Sequence, residues 1–294
     1  MSSAPIRPRR SVLFLPGSNA RALVKARTLP ADALILDLED AVAPDAKETA
    51  RAQVAESVRA KAFGKREVVV RINALSTQWG QHDLLTAAAA RPDAILLPKV
   101  SSPHDLHAVE RGLANAPEVD LSLAIWVMVE TPRAILNIAA LAGAGGRLAC
   151  LVMGTNDLIK EMRGQHTPDR LNLAAALGLS VLAARAHDLA VIDGVYNDIH
   201  DKEGFVASCA QARSFGFDGK TLIHPNQIEP ANAVFSPSPE EVEVARKIIA
   251  AFDLPENKGK GVIQLDGHMV ERLHAESARR TVALADAIAA LTGS

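Results

Sequence analysis

The stretch ADALILDLEDAVAPDAKETAR, residues 31–51, contains one complete strand-to-helix unit. Its ALILDLED part, residues 33–40, is a short apolar run that ends in carboxylates. Pro44 and Asp45 follow, and they precede a segment of helical periodicity over residues 46–62. Short, nearly continuous apolar runs are typical of parallel strands buried on both faces, and proline is favoured in the first turn of a helix. The stretch therefore predicts a buried strand, a polar loop and a helix.

The same unit recurs along the chain, eight times in all. The predicted strands are SVLFLPG (11–17), ALILDLED (33–40), VVVRIN (68–73), AILLPK (94–99), LAIWVMVE (123–130), LACLVMG (148–154), AVIDG (190–194) and KTLIHP (220–225). Strict alternation of strands and helices indicates parallel strands joined by right-handed crossovers. The 294 residues suffice for a (β/α)₈ TIM barrel, for which about 250 are typical. An open doubly wound sheet is the alternative, but no G-x-G-x-x-G follows the first strand, so we expect the barrel.

A C-terminal extension follows the last of these units. SPSPEEVEVARKIIAAF, residues 236–252, predicts an amphipathic helix with Ser238 as its N-cap. After a turn at 256–261, the sequence predicts a short hairpin or strand that leads into a final helix. The segment is too small to form a good core of its own. We therefore expect a catalytic barrel domain over 1–235 and an extension over 236–294 that acts as a lid or an inter-subunit arm.

The overall composition excludes several classes of partner. The formal net charge is −2 and the sequence pI about 6.5, which gives no general attraction to nucleic acid or to an anionic membrane. No apolar stretch approaches the ~20 residues of a membrane-spanning helix, and the apolar run near the N-terminus is too short for a signal peptide. Cys150 and Cys209 lack metal-ligand spacing and are interpreted as reduced thiols. We expect a cytoplasmic protein.

Polar residues stand at the carboxyl ends of the predicted strands, where the active sites of such barrels lie. They are Asp37, Glu39 and Asp40 (second strand), Arg71 and Asn73 (third), Lys99 (fourth), Glu130 (fifth), Asp157 (sixth), Asp193 (seventh) and His224 (eighth). A single charged residue at a strand end could simply mark the point where the chain reaches solvent. Charged residues at the ends of so many strands predict a charged ring around one mouth of the barrel. Alternation along the second strand further predicts that Asp37 and Glu39 share one face and that Asp40 points the other way.

The carboxylates Glu130 and Asp157 lie on successive strands and could bind one cation. Carboxylates without Cys favour a hard ion, Mg²⁺ or Mn²⁺, over Zn²⁺, although either residue could equally cap a helix or form an ion pair. Arg71 offers a planar guanidinium for a substrate carboxylate or a developing oxyanion. The alternative for Arg71 is a structural salt bridge with Glu39 or Asp40.

The first strand-to-helix turn could hold a phosphate. Residues 17–19 (Gly-Ser-Asn) precede a helix that carries Arg21 and Lys25 one turn apart, and backbone N–H groups at a helix start attract anions. Arg and Lys on an exposed helix are more often simply solvated. His224, which precedes Pro225, could be a base, but packing at the strand end is the favoured interpretation.

Several segments of the chain match the motifs of one known protein family and follow one another in the same order as in that family. They are RRSVLFLPG, ADALILDLEDAVAPDAKETAR, VVVRIN, ILLPKV, VETP, MGTNDL, AVIDGV and FGFDGKTLIHPNQI. Together they resemble the citrate lyase β-subunit-like (CitE-like) and malyl-CoA lyase family of the HpcH/HpaI aldolase superfamily, from about residue 9 to the end of the chain. The resemblance implies a (β/α)₈ barrel, Mg²⁺, a homotrimer or hexamer, and acyl-CoA or acyl-carrier-protein thioester substrates.

The resemblance also implies roles for individual residues. Glu130 and Asp157 match the metal ligands, and Arg71 matches the arginine that holds the oxo-acid product. Besides Arg71 and Glu130, the implied substrate contacts are Phe14, Asn19, Lys25, Ile223 and His224. The residues expected to surround and support these groups are Asp37, Glu39, Asp40 and Lys99.

The C-terminal stretch DGHMVERLH, residues 266–274, departs from the family pattern. Members with malate synthase or thioesterase activity have G-x-M-I-D here, and the acidic residue comes from a neighbouring subunit's lid. Glu271 stands in that place and is one methylene longer than aspartate. A displacement of about 1 Å can cost about a hundredfold in rate. Glu271 is thus a candidate acid–base residue, but its length disfavours a hydrolase or synthase activity that depends on it.

The implied function is Mg²⁺-dependent carbon–carbon cleavage of a 3-hydroxyacyl-CoA thioester of the malyl-, citramalyl- or citryl-CoA type. The products are a 2-oxo acid and acetyl-CoA or a homologue. Three alternatives stay open: a citrate lyase β-subunit that acts on a citryl carrier protein within a complex, a class II aldolase that acts on free hydroxy-oxo acids, and an inactive CoA-binding regulator. Intact Glu130, Asp157 and Arg71 disfavour the last of these.

Overall fold

A computed structural model describes residues 6–114, 120 and 122–293. Eight parallel strands are hydrogen-bonded in chain order, and the first pairs with the eighth, so the sheet closes as a barrel. The strands are β1 (Ser11–Pro16), β2 (Ala33–Asp37), β3 (Glu67–Arg71), β4 (Ala94–Leu97), β5 (Ala124–Val129), β6 (Leu148–Met153), β7 (Ala190–Asp193) and β8 (Gly219–Leu222). The predicted (β/α)₈ barrel is confirmed, and the strands are shorter at their carboxyl ends than the predicted runs.

Helices follow the strands and cover the barrel. They are α1 (Ala20–Ala26), α2 (Lys47–Arg59), α3 (Gly80–Ala90), α4 (Pro103–Ala114), α5 (Pro132–Leu136), α6 (Ile138–Ala142), α7 (Thr155–Glu161), α8 (Ala174–Ala186), α9 (Lys202–Phe215) and α10 (Ile228–Phe235). Helices α5 and α6 are separated at Asn137, whose φ and ψ of −103° and 8° are not helical. The side chain of Asn137 donates to the carbonyl of Ser101 at 2.9 Å, which ties the break to the preceding loop.

Side chains along each strand alternate between the barrel interior and the helical layer. The interior is filled by Val12, Ile35, Val69, Leu96, Trp126, Met128, Cys150, Val152 and Ile192, all buried. Asp37, Arg71 and Glu130 each lie two positions beyond one of these residues, so they continue the interior rows at the carboxyl ends of the strands. This alternation brings three of the predicted site residues to one mouth.

The opposite end of the barrel is closed by an ion pair. Arg9 Nε lies 2.6 Å from Glu67 Oε2, and the guanidinium stands 5.0 Å from the centroid of the Trp126 ring. Glu67 is the first residue of β3. The interior is therefore a packed core and not a pore, as in other barrels of this size.

Asp193 does not belong to the charged ring at the mouth, where it was expected. It is adjacent to the interior residue Ile192, so it lies on the outer face of β7. There it is fully buried and forms ion pairs with Arg170 at 2.8 Å and with Lys220 at 2.5 Å. Asp193 joins two strands to a loop and has a structural role.

The structure divides into two compact units, one of which spans Arg9–Phe235. The other contains α11 (Pro239–Asp253), an antiparallel hairpin of β9 (Val262–Leu265) and β10 (His268–Glu271), and α12 (Arg272–Thr292). The predicted Ser238 N-cap is confirmed: its Oγ accepts the N–H of Glu241 at 3.1 Å. Among the described residues of this unit, few hydrophobic side chains are buried, namely Ala245, Ile263, Val270, Ala275 and Ala278. Its role as a lid or inter-subunit arm stays a prediction.

None of the helices in the described part of the chain is long and apolar enough to cross a membrane.

Candidate active site

Arg71 at the end of β3 is held by Asp37 at the end of β2. The two residues are in register, with Nε 2.6 Å from Oδ1 and Nη2 2.7 Å from Oδ2. Two parallel charge-assisted hydrogen bonds fix the orientation of the guanidinium, and the centroid of the Phe14 ring lies 4.9 Å from its central carbon. Burial alone would lower the pKa of Arg71, but the field and hydrogen bonds of Asp37 raise it. The arginine therefore stays charged inside the mouth.

The turn after β2 brings further carboxylates to Arg71. Its Nη1 lies 2.9 Å from Glu39 Oε2 and 3.6 Å from Asp40 Oδ2, so the salt bridge that the sequence left open is present. The prediction that Asp40 points away from Glu39 is wrong, because strand alternation stops at Asp37. Beyond it the chain turns, and the N–H groups of Glu39 and Ala41 donate to the Asp37 carboxylate at 2.9 and 3.0 Å.

A buried lysine, Lys47, supports this turn. Its ammonium donates to the carbonyls of Leu38 and Glu39 at 2.8 and 2.7 Å and to Asn73 Oδ1 at 2.8 Å. Asn73 in turn donates to Asp83 Oδ2 at 2.6 Å. Sequence reasoning missed Lys47 and Asp83, because charged residues on amphipathic helices are mostly solvated and no spacing marks a buried one.

Glu130 follows β5 and is almost completely buried. Its Oε1 accepts the backbone N–H of Lys99 at 2.7 Å, while its Oε2 has no hydrogen-bond partner among the described residues. Burial raises the pKa of Glu130, and the ammonium of Lys99 opposes that shift. Burying a polar atom without a partner is unfavourable in free energy, so a cation bound at Glu130 Oε2 would supply the missing partner.

Gly154, at the end of β6, makes room for this carboxylate. A Cβ at position 154 would lie 2.4 Å from Glu130 Cβ and 2.8 Å from its Oε2. Real side chains do not approach so closely, so the absence of a side chain is required here. No sequence pattern indicates this contact, because glycine is common after a strand.

Asp157, in the first turn of α7, shares a cation with Glu130. The ammonium of Lys99 lies 2.7 Å from Asp157 Oδ2 and 3.6 Å from Glu130 Oε1. Burial lowers the pKa of Lys99, but the hydrogen bond to Asp157 and the charge of Glu130 outweigh it and raise the pKa. The two carboxylates predicted to bind a metal ion are thus close enough to share one positive group.

The Glu130–Asp157 pair fits a metal site in which water and substrate supply some of the ligands better than one in which the protein supplies all of them. Among the described residues, no group of three or more His, Cys, Asp or Glu side chains could hold a metal ion. Mg²⁺ usually binds through one or two carboxylates and keeps several positions for water and substrate. Glu130 and Asp157, with a buried oxygen lacking a partner, match that pattern.

Glu39 adds a second carboxylate oxygen that has no hydrogen-bond partner in the part of the chain that the structure describes. Its Oε2 is at ion-pair distance from Arg71, but the geometry makes no hydrogen bond. Burial raises the pKa of Glu39 to about 8, although the charge of Arg71 acts in the opposite direction. The mouth is therefore rich in carboxyl oxygens that a cation could stabilise.

The structure places the remaining predicted substrate contacts without assigning them a ligand. Asn19 Oδ1 accepts a backbone N–H of α1 at 3.0 Å as its N-cap, and Lys25 is exposed in the last turn of that helix. Ile223, just after β8, is 41% exposed. His224 Nδ1 accepts the backbone N–H two residues later at 3.2 Å, which supports a capping role. A substrate contact for these four residues stays a prediction.

Glu271 lies in the second unit, where it ends β10 and is the N-cap of α12. Its backbone N–H donates to Nδ1 of His274 at 2.9 Å. Its side chain is partly exposed. The acid–base role inferred from the sequence stays a prediction.

Buried carboxylates and a fixed guanidinium thus lie together at the carboxyl ends of the strands of a parallel (β/α)₈ barrel, which is the end at which enzymes of this fold carry their active sites. The chain belongs to the HpcH/HpaI aldolase/citrate lyase family, whose model matches residues 10–225. This confirms the resemblance drawn from the sequence segments.

Similar proteins cover nearly the whole chain. A (3S)-malyl-CoA thioesterase of Cereibacter sphaeroides is 52% identical over 287 residues, 98% of each protein. The citrate lyase subunit beta of Escherichia coli K12 is 32% identical over 284 residues, 95% of this chain and 94% of that protein. The CitE structure from Mycobacterium tuberculosis in complex with magnesium, acetoacetate and coenzyme A has a TM-score of 0.72 at 28% identity, over 96% of this chain and 98% of that one.

Proposed function

We propose that this protein is a Mg²⁺-dependent carbon–carbon lyase that cleaves a 3-hydroxyacyl-CoA thioester of the malyl-, citramalyl- or citryl-CoA type. The products are a 2-oxo acid and acetyl-CoA or a homologue. The observation that carries this proposal is the buried Glu130 carboxylate. Its Oε2 has no hydrogen-bond partner among the described residues, and its Oε1 shares the Lys99 ammonium with Asp157. The magnesium, acetoacetate and coenzyme A in the M. tuberculosis relative support the same ligand classes here.

Glu130 and Asp157 would hold the metal ion. When bound, Mg²⁺ supplies Lewis-acid polarisation of the substrate oxygens; Mn²⁺ could replace it, because both are hard cations that prefer carboxylate ligands. Gly154 and the N–H of Lys99 keep the Glu130 carboxylate in place.

Arg71 would orient the oxo-acid part of the substrate. Asp37 uses two of its N–H donors, and the fixed fork suits a substrate carboxylate or the oxygen on which negative charge develops. Because Asp37 already sets its orientation, little reorganisation is needed during the reaction. Asp37, Glu39 and Asp40 would act by holding this arginine.

In the proposed cleavage the bond between the hydroxyl-bearing carbon and the carbon next to the thioester breaks. The hydroxyl loses its proton and its oxygen becomes the carbonyl of the 2-oxo acid. The electrons of the broken bond form a thioester enolate, which takes up a proton at carbon. Glu271 is our candidate for one of these two proton transfers.

A second candidate function is hydrolysis of a malyl-CoA-type thioester. The 52% identity to the C. sphaeroides (3S)-malyl-CoA thioesterases favours it, whereas the glutamate at position 271 disfavours it. Hydrolysis would release free coenzyme A and a hydroxy diacid, and no 2-oxo acid.

One assay separates the two functions. Purified full-length protein is incubated with Mg²⁺ and malyl-, citramalyl- or citryl-CoA, and both 2-oxo acid and free thiol are measured. We expect a 2-oxo acid without thiol; thiol without 2-oxo acid would replace the lyase by the thioesterase. Glu130→Gln should abolish product, and Glu161→Gln, a charge-matched change at an exposed residue of α7, should not. Neither product from any thioester would overturn the proposal.

The partners inferred here are a CoA thioester, a 2-oxo acid and further copies of the chain in a homotrimer or hexamer. A citryl carrier protein is the alternative acyl donor, supported by the citrate lyase subunit beta relatives. Activity that appears only with a carrier-bound acyl group would establish that alternative. Activity on free hydroxy-oxo acids would instead indicate a class II aldolase. Light scattering measures the number of subunits.

A further inference from the structure

Lys99 places two different groups against the predicted metal ligands. Its backbone N–H donates to Glu130 Oε1 at 2.7 Å. Its ammonium lies between Glu130 Oε1, at 3.6 Å, and Asp157 Oδ2, at 2.7 Å. One residue thus both orients a carboxylate and neutralises the pair.

The backbone of Lys99 adopts an uncommon conformation to do this. Its φ is +56°, in the left-handed region that residues other than glycine, asparagine and aspartate rarely enter. It directly follows Pro98, just after the end of β4. In this conformation the backbone N–H of Lys99 points at Glu130, and the side chain extends toward the mouth of the barrel.

Lys99 is also the cation that balances these carboxylates. Among the described residues, no other Lys, Arg or His nitrogen lies within 4.0 Å of a Glu130 or Asp157 oxygen. Glu130 is 1% exposed at its side chain, so its charge is poorly screened by water. Among the described residues, the Lys99 ammonium is therefore the cation in direct contact with both carboxylates, and it stabilises their negative charges.

The ammonium is nevertheless able to leave. The Lys99 side chain is 35% exposed and that of Asp157 27% exposed, so the contact faces solvent on one side. A lysine head group on a flexible four-carbon stem can move without a change of fold. The backbone N–H stays on Glu130 when the side chain moves.

We infer that the Lys99 ammonium and a divalent metal ion are alternative occupants of the Glu130–Asp157 pair, so that Lys99 sets the metal affinity of this site. The inference rests on the proposed function, which assigns a metal ion to these two residues. A metal ion must displace a covalently attached competitor that is present at high local concentration. The ammonium therefore lowers the metal affinity of the site, but it keeps the two carboxylates neutralised and ordered when no metal ion is bound.

The test is calorimetric titration of MgCl₂ into full-length protein freed of metal by chelation. Lys99→Met removes the competing charge and keeps the backbone N–H. Lys99→Gly does the same with a residue that accepts φ of +56° without strain, which covers the case in which the methionine variant folds poorly. Lys99→Arg keeps a positive charge, and Lys160→Met removes an exposed lysine from α7, close to Asp157 in the chain.

We expect Mg²⁺ to bind Lys99→Met and Lys99→Gly at least about tenfold more tightly than wild type. The reason is that these variants lack the ammonium that competes with Mg²⁺ for the two carboxylates. Lys99→Arg and Lys160→Met should stay within about threefold of wild type. Equal or weaker Mg²⁺ binding in both neutral Lys99 variants, with wild type binding the ion, would overturn the role of Lys99 alone. No Mg²⁺ binding in any of these proteins would overturn the metal site itself and with it the proposed function.

Discussion

Replacing Gly154 with alanine tests how closely the Glu130 carboxylate must be held. The φ of Gly154 is −98°, which alanine can adopt, so any effect is steric. The added Cβ would lie 2.4 Å from Glu130 Cβ and 3.0 Å from Met128 Cε. Carbon atoms in contact are about 3.5–4.0 Å apart. Glu130 or the start of α7 must therefore move by about 1 Å.

A movement of this size has separable consequences for stability and for chemistry. Forcing an extra methyl group into a packed region costs about 1–3 kcal/mol of unfolding free energy. Misplacing a group of the active site by about 1 Å can lower the rate about a hundredfold. Since Glu130 Oε2 is the oxygen that faces the new methyl group at 2.8 Å, we also expect Mg²⁺ affinity to fall at least about tenfold.

Three measurements on Gly154→Ala check this reasoning: urea unfolding, calorimetric Mg²⁺ binding, and the rate of 2-oxo acid release. Gly178→Ala is the matched control, because among the described residues a Cβ there meets only Phe215 Cε1, at an ordinary contact distance of 3.8 Å. A folded Gly154→Ala protein with wild-type metal affinity and wild-type rate would refute the close placement of Glu130.

Further predictions concern the residues that hold Arg71 and its turn. Asp37→Ala removes the carboxylate that accepts two hydrogen bonds from the buried Arg71 and should lower the free energy of unfolding in urea by about 3–5 kcal/mol; a loss below about 1 kcal/mol would contradict the ion pair. Lys47→Met removes the donor of three hydrogen bonds and should lower the free energy of unfolding by about 3 kcal/mol or more. Unchanged stability would show that the turn after β2 does not depend on Lys47. The pKa of Glu39 is raised from 4.5 to about 8, so the folded state keeps a proton that the unfolded state loses over this range. The stability of metal-free wild type should therefore fall relative to Glu39→Gln from about pH 5 to about pH 8, and parallel stability curves would contradict the shift.

The barrel was predictable because its signals are local. Each strand is a short apolar run and each helix follows at a regular interval, so alternation repeated eight times leaves few other folds. Two errors concern the side of the strand to which a residue points: one lies beyond the end of its strand, and the other lies inside it. Alternation stops at Asp37, where the hydrogen-bonded ladder ends, and Asp40 therefore turns back toward Arg71. Asp193 still lies inside β7, and the parity that places Ile192 in the interior turns Asp193 outward.

The site was predictable only in part. Strand-end position and the family resemblance together pointed to Arg71, Glu130 and Asp157. The burial of Lys47, the close approach at Gly154 and the ammonium of Lys99 between two carboxylates depend on how distant segments meet. A lysine on a helix and a glycine after a strand have ordinary local explanations, so no sequence pattern distinguishes these residues before the fold is known.

The most direct test of the central claim is Mg²⁺-dependent release of a 2-oxo acid by wild type, Glu130→Ala and Asp157→Ala, measured on the thioester that wild type cleaves. We predict that chelation of the metal abolishes release by wild type and that Mg²⁺ restores it. Both variants should lose at least about a hundredfold of the rate at saturating Mg²⁺ while they remain folded. Variants that keep the wild-type rate and its metal dependence would contradict the assignment of this carboxylate pair as the metal site of a lyase.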